Sequence, residues 1–233
     1  MRDLVVERLA AVRERIANAA GAVGRDPGGV ALLLAVKRVD AERIRSAIGA
    51  GASLVGQNRA QELAATEPLL ADLPHETHFI GHLQSNKVSS VLRWAKCVQT
   101  VDSADLAQRL DRAAEARGGQ LDVLVQVNTS GEVSKSGVTP EEAAGLAHVV
   151  GALEHLRLRG FMTIGANSSV DEVVRSSYEH LTAVRDAVVG SGRPGTQDAR
   201  ELSMGMSRDL EVAIAAGATM VRVGSAVFGE RPA

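Results

Sequence analysis

The 233 residues contain one cysteine, Cys97, so no intrachain disulfide can form and nothing marks an oxidising compartment. Aromatic residues make up 2% of the chain, which leaves few platforms on which nucleic-acid bases could stack. Neither sign of charge dominates: 26 Lys and Arg against 28 Asp and Glu give a formal net charge of -2, whereas a phosphate-backbone binder carries a basic excess. No apolar run approaches the roughly 18 residues a membrane helix needs. The opening MRDLVVERLAAVRERIANAAG breaks its apolar positions with charges, unlike the uninterrupted core of a signal peptide. The expectation is a cytoplasmic protein that engages neither nucleic acid nor membrane.

What is present, 45% hydrophobic and 23% charged residues, is the profile of an ordinary globular protein with ample chain for a core. Residues 1–233 are expected to form a single domain. Leu4, Val5, Leu9, Val12 and Ile16 share one side of a 3.6-residue repeat, which predicts an amphipathic N-terminal helix. VALLLAVK (30–37) is then a short continuous apolar run, the pattern of a strand buried on both faces. A helical stretch closed by glycine, DAERIRSAIGAG, follows it.

This strand-then-helix unit recurs. Further strands are predicted at 53–57, 77–81, 97–102, 121–128, 156–162, 200–205 and 219–224, with helices at 59–70, 85–94, 103–117, 140–151, 170–190 and 207–216. Alternation of this kind implies parallel pairing through right-handed crossovers. Eight strands are the number that closes a TIM (β/α)8 barrel, here with the extra N-terminal helix in front. A doubly wound open sheet is the rival, but no Gly-x-Gly-x-x-Gly turn follows an early strand.

In such a barrel the chemistry sits at the C-terminal ends of the strands. Lys37 closes the first predicted strand, pointing either into the mouth or out to solvent. In an apolar site its amine would suit a Schiff base with an aldehyde. After the seventh strand, Gly205 permits a tight turn, Ser207 is placed to cap the next helix, and Asp209 falls in its first turn. Gly224 and Ser225 form a second corner after the eighth strand, and two such corners are a common phosphate cup. Arg222 shares a face with Gly224 by strand alternation. An arginine inside an apolar run either hides a salt bridge, for which Glu211 is a candidate, or faces a ligand. Asn58 either caps a helix or reaches a ligand. His75, His78 and His82 lack the zincin spacing, and Cys97 reads as a small core residue; no metal site is expected.

Five stretches carry a resemblance: LLLAVK with Lys37, GQNRAQEL (56–63) with Asn58, HFIGHLQSNK (78–87), RGFMTIG (159–165) and LSMGMSRDLEVAIAAGATMVRVGSAVFGER (202–231). With them the chain resembles the pyridoxal 5'-phosphate homeostasis proteins, single-domain relatives of the alanine racemase N-terminal barrel. The resemblance implies that Lys37 carries pyridoxal phosphate as an internal aldimine, and that Ser207, Gly224 and Ser225 hold its phosphate. It also implies that Arg222 faces the pyridine nitrogen and that Asn58 belongs to the cofactor-binding set. Three positions depart from the family pattern: Val36 where Ser or Thr is usual, Gln57 where Glu is usual, and Ser225 where Thr is more common.

The implied function is storage and transfer of the cofactor, without established catalytic activity, with pyridoxal-phosphate-dependent apo-enzymes as recipients. The alternative is an amino-acid racemase, which needs a second acid/base on the far face of the cofactor. The only tyrosine, Tyr178, falls inside a predicted helix, expected to be remote from the mouth. The absence of a racemase-like partner domain predicts a monomer. A Schiff-base aldolase would leave Arg222 without a role. Lys135, in a polar loop after the fifth strand, reads as a solvated lysine or as an amine that assists transfer.

Overall fold

The computed structural model describes residues 3–229; residues 1–2 and 230–233, at the ends of the expected domain and including the last two residues of the 202–231 stretch, lie outside it. Eight parallel strands close on themselves in sequence order: β1 (Ala31–Ala35), β2 (Leu54–Gln57), β3 (Glu76–Phe79), β4 (Cys97–Val101), β5 (Leu121–Gln126), β6 (Leu156–Met162), β7 (Glu201–Ser203) and β8 (Met220–Val223). Closure is made by β1 against β8, with Leu33 opposite Arg222, which rules out the open doubly wound sheet.

The helices are α1 (Leu4–Ala22), α2 (Ala41–Gly49), α3 (Ala60–Thr66), α4 (Val88–Leu92), α5 (Ala104–Glu115), α6 (Pro140–Gly151), α7 (Asp171–Gly190), α8 (Leu210–Ala215) and α9 (Ser225–Phe228). Asp3 caps α1 by accepting from the Val5 N–H. The α1 stripe of Val5, Leu9, Val12 and Ile16 is buried and packs on α8 and α9. In α6 a reciprocal capping box joins Thr139 and Glu142, with Pro140 at the first helical position, where its missing N–H costs nothing. No helix among the described residues is long and apolar enough to cross a membrane.

The periodicity placed every strand, and the structure shifts or trims the ends of all but β6. β1 stops at Ala35 rather than Lys37, because Val39 N–H turns back to the Val36 carbonyl. The predicted helix 59–70 ends at Thr66 and continues as a 3-10 turn, Glu67–Leu69, since Pro68 has no N–H to extend the helix. The 85–94 segment likewise starts as a 3-10 turn, Ser85–Lys87.

The main apolar core lies between strands and helices. Cys97, Leu124 and Met162 form a smaller cluster of their own, and burial pushes the Cys97 thiol well up from its ordinary value. Much of the remaining barrel interior is polar. Gln99 on β4 reaches Ser203 on β7; those strands are not neighbours, so this bond crosses the barrel.

Candidate functional site

A recess of about 690 Å³ opens beyond the C-terminal ends of β1, β6, β7 and β8, lined by Ala35, Arg222, Gly224, Ser225, Ser207 and Asp209, and by residues 164–169 of the β6–α7 loop. The structure thus brings together four of the six residues singled out from sequence. The other two lie elsewhere: Lys37 in the turn that follows Ala35 and Val36, and Asn58 in an adjacent, smaller recess with His82 and Lys87.

Arg222 has 6% of its surface exposed, yet it makes no salt bridge among the described residues. Its Nη1 donates to the Ser203 carbonyl at 2.6 Å and to Ser203 Oγ at 2.9 Å, and its Nη2 to the Thr163 carbonyl at 2.7 Å. Glu211, the carboxylate suggested by spacing, is held instead by Arg15 at 2.7 Å. Burial lowers the Arg222 pKa to about 10, against the opposing pull of Tyr178 and Asp209, so it remains a cation at neutral pH. A buried charge with no carboxylate in direct contact is costly, and here its face is turned to a recess.

Ser207 does not cap α8. Asp209 occupies the N-cap position, without a side-chain cap bond; its Oδ1 accepts from the Met206 N–H at 2.6 Å, which holds residues 206–209 as a turn and shortens the helix. Ser207 Oγ accepts instead from the Ala226 N–H in α9 at 3.3 Å, tying the two corners together. Asn58 is no helix cap either: Arg59 holds the N-cap position of α3.

Tyr178 does lie in α7, but it is not remote from the mouth. It is fully buried, and its hydroxyl donates to Asp209 Oδ2 at 2.8 Å, which places it directly behind the lining. A Cβ on Gly165, another lining residue, would come within 2.6 Å of the Tyr178 ring. Burial, reinforced by the Asp209 charge, raises the phenol pKa far above its ordinary value. Helical periodicity alone could not reveal this contact, 31 positions along the chain.

Lys37 is half-buried and makes no hydrogen bond or ion pair to the described residues. Lys135 is not a solvated loop lysine: its Nζ lies 2.6 Å from Glu132 Oε1 and donates to the Gly165 carbonyl at 2.8 Å. It thereby ties the β5–α6 loop to the β6–α7 loop at the rim of the recess. Of the departures from the family pattern, Val36 is buried in the core between barrel and helices. Gln57 is 1% exposed, with an Oε1 that has no partner. His75 and His78 engage the carboxylates of Glu67 and Glu76.

Sequence reasoning missed Ser203, Thr163 and Gly165. Their sole sequence signal was membership of the quoted stretches 159–165 and 202–231.

The sequence pattern of the alanine racemase N-terminal domain matches residues 8–232. Fold and mouth together therefore define a barrel of the alanine racemase N-terminal type. An alanine racemase from Clostridium difficile superposes with a TM-score of 0.73 at 16% identity, covering 95% of this chain and 57% of that one, a likeness of fold alone. Much nearer is the pyridoxal phosphate homeostasis protein of Pseudomonas aeruginosa, 42% identical over 228 residues, 97% of this chain and 96% of that protein. Its counterpart from Escherichia coli K12 is 41% identical over 231 residues, 97% of each chain. The structure of PipY from Synechococcus elongatus with PLP bound matches at 31% identity and a TM-score of 0.84, covering 97% of this chain and all of that one. The chain belongs to the pyridoxal phosphate homeostasis protein family.

Proposed function

We propose that this chain binds pyridoxal 5'-phosphate at the mouth and serves as a non-catalytic carrier that stores the cofactor and passes it on. The observation that carries this reading is Arg222, a buried guanidinium with no carboxylate partner among the described residues, facing a recess rimmed by Ser207, Gly224 and Ser225. Relatives named for pyridoxal phosphate homeostasis, and PipY with PLP bound, support it.

The residues present fit the group. A Cβ on Gly224 would stand 2.9 Å from the Ala35 carbonyl, so only glycine leaves that corner open. With six and four residues, α8 and α9 are too short to offer much helix dipole. The phosphate reading therefore rests on the hydroxyls of Ser207 and Ser225 and on the glycine corner. Bound there, pyridoxal phosphate supplies an aldehyde that condenses with amines and a ring that can withdraw electrons.

Lys37 would supply the amine that holds the aldehyde, and nothing among the described residues competes for that amine. Arg222 is assigned to the ring nitrogen, where a fixed cation disfavours protonation and so weakens electron withdrawal, the reverse of a carboxylate partner. Asn58, in the neighbouring recess, is assigned to the cofactor-binding set from the side of β2. Racemisation would need a base on the opposite face. Tyr178 is committed to Asp209 and its phenol stays protonated at neutral pH, which supports the carrier over the racemase.

The carrier so proposed is a monomer in the cytoplasm that serves pyridoxal-phosphate-dependent apo-enzymes. The test is to load the protein with pyridoxal phosphate, reduce with borohydride and map the labelled peptide. The expected adduct is on Lys37 and is lost in Lys37→Ala. No adduct, or one that survives in Lys37→Ala, overturns the proposal.

A further inference from the structure

Five side chains are linked end to end through the barrel interior. Arg222 Nη1 donates to Ser203 Oγ at 2.9 Å, Ser203 Oγ donates to Gln99 Oε1 at 2.7 Å, and Gln99 Nε2 lies 2.7 Å from His78 Nδ1. His78 Nε2 in turn lies 3.0 Å from Glu76 Oε1. The chain runs from the mouth to a second recess of about 390 Å³ at the opposite end, lined by the half-buried Glu76 and the buried His78 beside Ala31, Leu54 and Thr219.

The chemistry of the two ends favours one direction along the chain. A guanidinium only donates, so the Ser203 hydroxyl accepts from Arg222 and its one proton goes to Gln99. The Gln99 amide therefore turns its oxygen to Ser203 and its NH2 to His78. His78 Nδ1 must then carry a bare lone pair, and its proton sits on Nε2, facing a carboxylate that only accepts. That hydrogen bond holds the Glu76 carboxyl below its usual range. This is the arrangement in which every proton along the chain, the Ser203 hydroxyl proton included, meets an acceptor.

We infer that Ser203, Gln99 and His78 are positioning residues for Arg222, holding its guanidinium at the mouth through a one-way hydrogen-bond chain anchored on Glu76, with His78 as the neutral Nε2–H tautomer. The chain leaves one backbone anchor on each side, the carbonyls of Ser203 and Thr163, and adds the contact that reads the far end of the barrel. A second proton on His78 would oppose Nδ1–H to the Gln99 NH2. Turning Gln99 over relieves that clash only by taking its oxygen from Ser203, whose proton then loses its acceptor. The charged and titratable groups that line this recess with His78 are Glu76 on β3, Cys97 on β4, Asp122 on β5, Arg159 on β6 and Glu201 on β7. Among them Arg159 pairs with Glu201 at 3.1 Å, which leaves Glu76 to His78.

The first experiment needs no cofactor: ring 15N NMR of the histidines, with His78→Gln to assign the signal. A protonated Nε2 and a bare Nδ1 at neutral pH are expected; an Nδ1–H tautomer or an imidazolium overturns the inference. The second experiment rests on the function proposed above and uses Ser203→Ala, Ser203→Thr and Gln99→Met loaded with pyridoxal phosphate. Ser203→Ala and Gln99→Met should keep the Lys37 adduct after borohydride, shift the absorption and emission of the bound cofactor, and release it about tenfold more readily, the scale of one hydrogen bond to a charged group. Ser203→Thr, which keeps the hydroxyl, should restore both. Wild-type spectra and retention in folded Ser203→Ala and Gln99→Met overturn the positioning role. Absence of the adduct in the wild type fails the carrier reading alone, and the NMR result still decides the chain.

Discussion

The Tyr178 hydroxyl donates to Asp209 Oδ2 across 2.8 Å, while Asp209 Oδ1 accepts the Met206 N–H at 2.6 Å. One carboxylate therefore pins the turn before α8 to the middle of α7, and the mouth lining inherits the rigidity of a 20-residue helix. Tyr178→Phe leaves Oδ2 with an unmade hydrogen bond in a part-buried site. The expected loss is about 1–2 kcal/mol of unfolding free energy, read from urea denaturation.

The same contact predicts alkaline behaviour. The unfolded chain releases the phenolic proton near the ordinary tyrosine value of about 10, whereas the folded chain holds it to higher pH. Above that point the unfolded state binds fewer protons, so stability falls as pH rises. Because this is the only tyrosine, its ultraviolet titration reports the site directly. Onset of ionisation should coincide with unfolding, and the Tyr178→Phe variant should lose this component of the alkaline slope.

Arg222 spans two strands, its Nη1 on Ser203 of β7 and its Nη2 on Thr163 just beyond β6. Arg222→Lys keeps the charge but cannot copy this fork. Retention of pyridoxal phosphate through gel filtration should fall about tenfold in Arg222→Lys, the scale of one charged hydrogen bond, and further in Arg222→Gln. Unchanged retention in both would return Arg222 to a purely structural role.

Lys135 joins Glu132 and the Gly165 carbonyl. The Lys135 hydrogen bond, with the Asn167 N–H, holds the Glu132 carboxyl below its ordinary range. A depressed carboxylate contributes stability at pH above its unfolded value, and that contribution is lost as pH falls through the folded value. In Lys135→Met the Glu132 titration, followed by carboxyl 13C shifts, should move up toward about 4.3. Amide exchange in residues 164–169 should quicken.

Gln57 buries an oxygen without a partner. Gln57→Met removes that acceptor at similar volume and should raise unfolding free energy by about 1 kcal/mol. A loss of cofactor retention in the same variant would instead show that the Gln57 oxygen contributes to the site.

Strand and helix positions were legible because each rests on local periodicity: the β6 and α6 bounds read from the chain coincide with those observed. The corners at Ser207 and Gly224–Ser225 were legible for a related reason, since each lies within four residues of a strand end. Ser207 was nonetheless assigned the wrong partner. Its role as a cap was a local expectation, whereas its actual contact, Ala226, lies 19 residues on.

Sequence by itself determined the alternation that closes the barrel, the family, and the cluster of small and hydroxyl residues at the last two strand ends, all properties of short stretches. Tertiary structure alone decided what surrounds them. Arg222 takes Thr163 and Ser203 rather than Glu211, Asn58 faces a different recess, and Gln99 meets Ser203 across 104 positions of sequence. Barrel closure points side chains from distant strands at one axis, and which of them meet depends on register and shear, quantities that no local pattern carries.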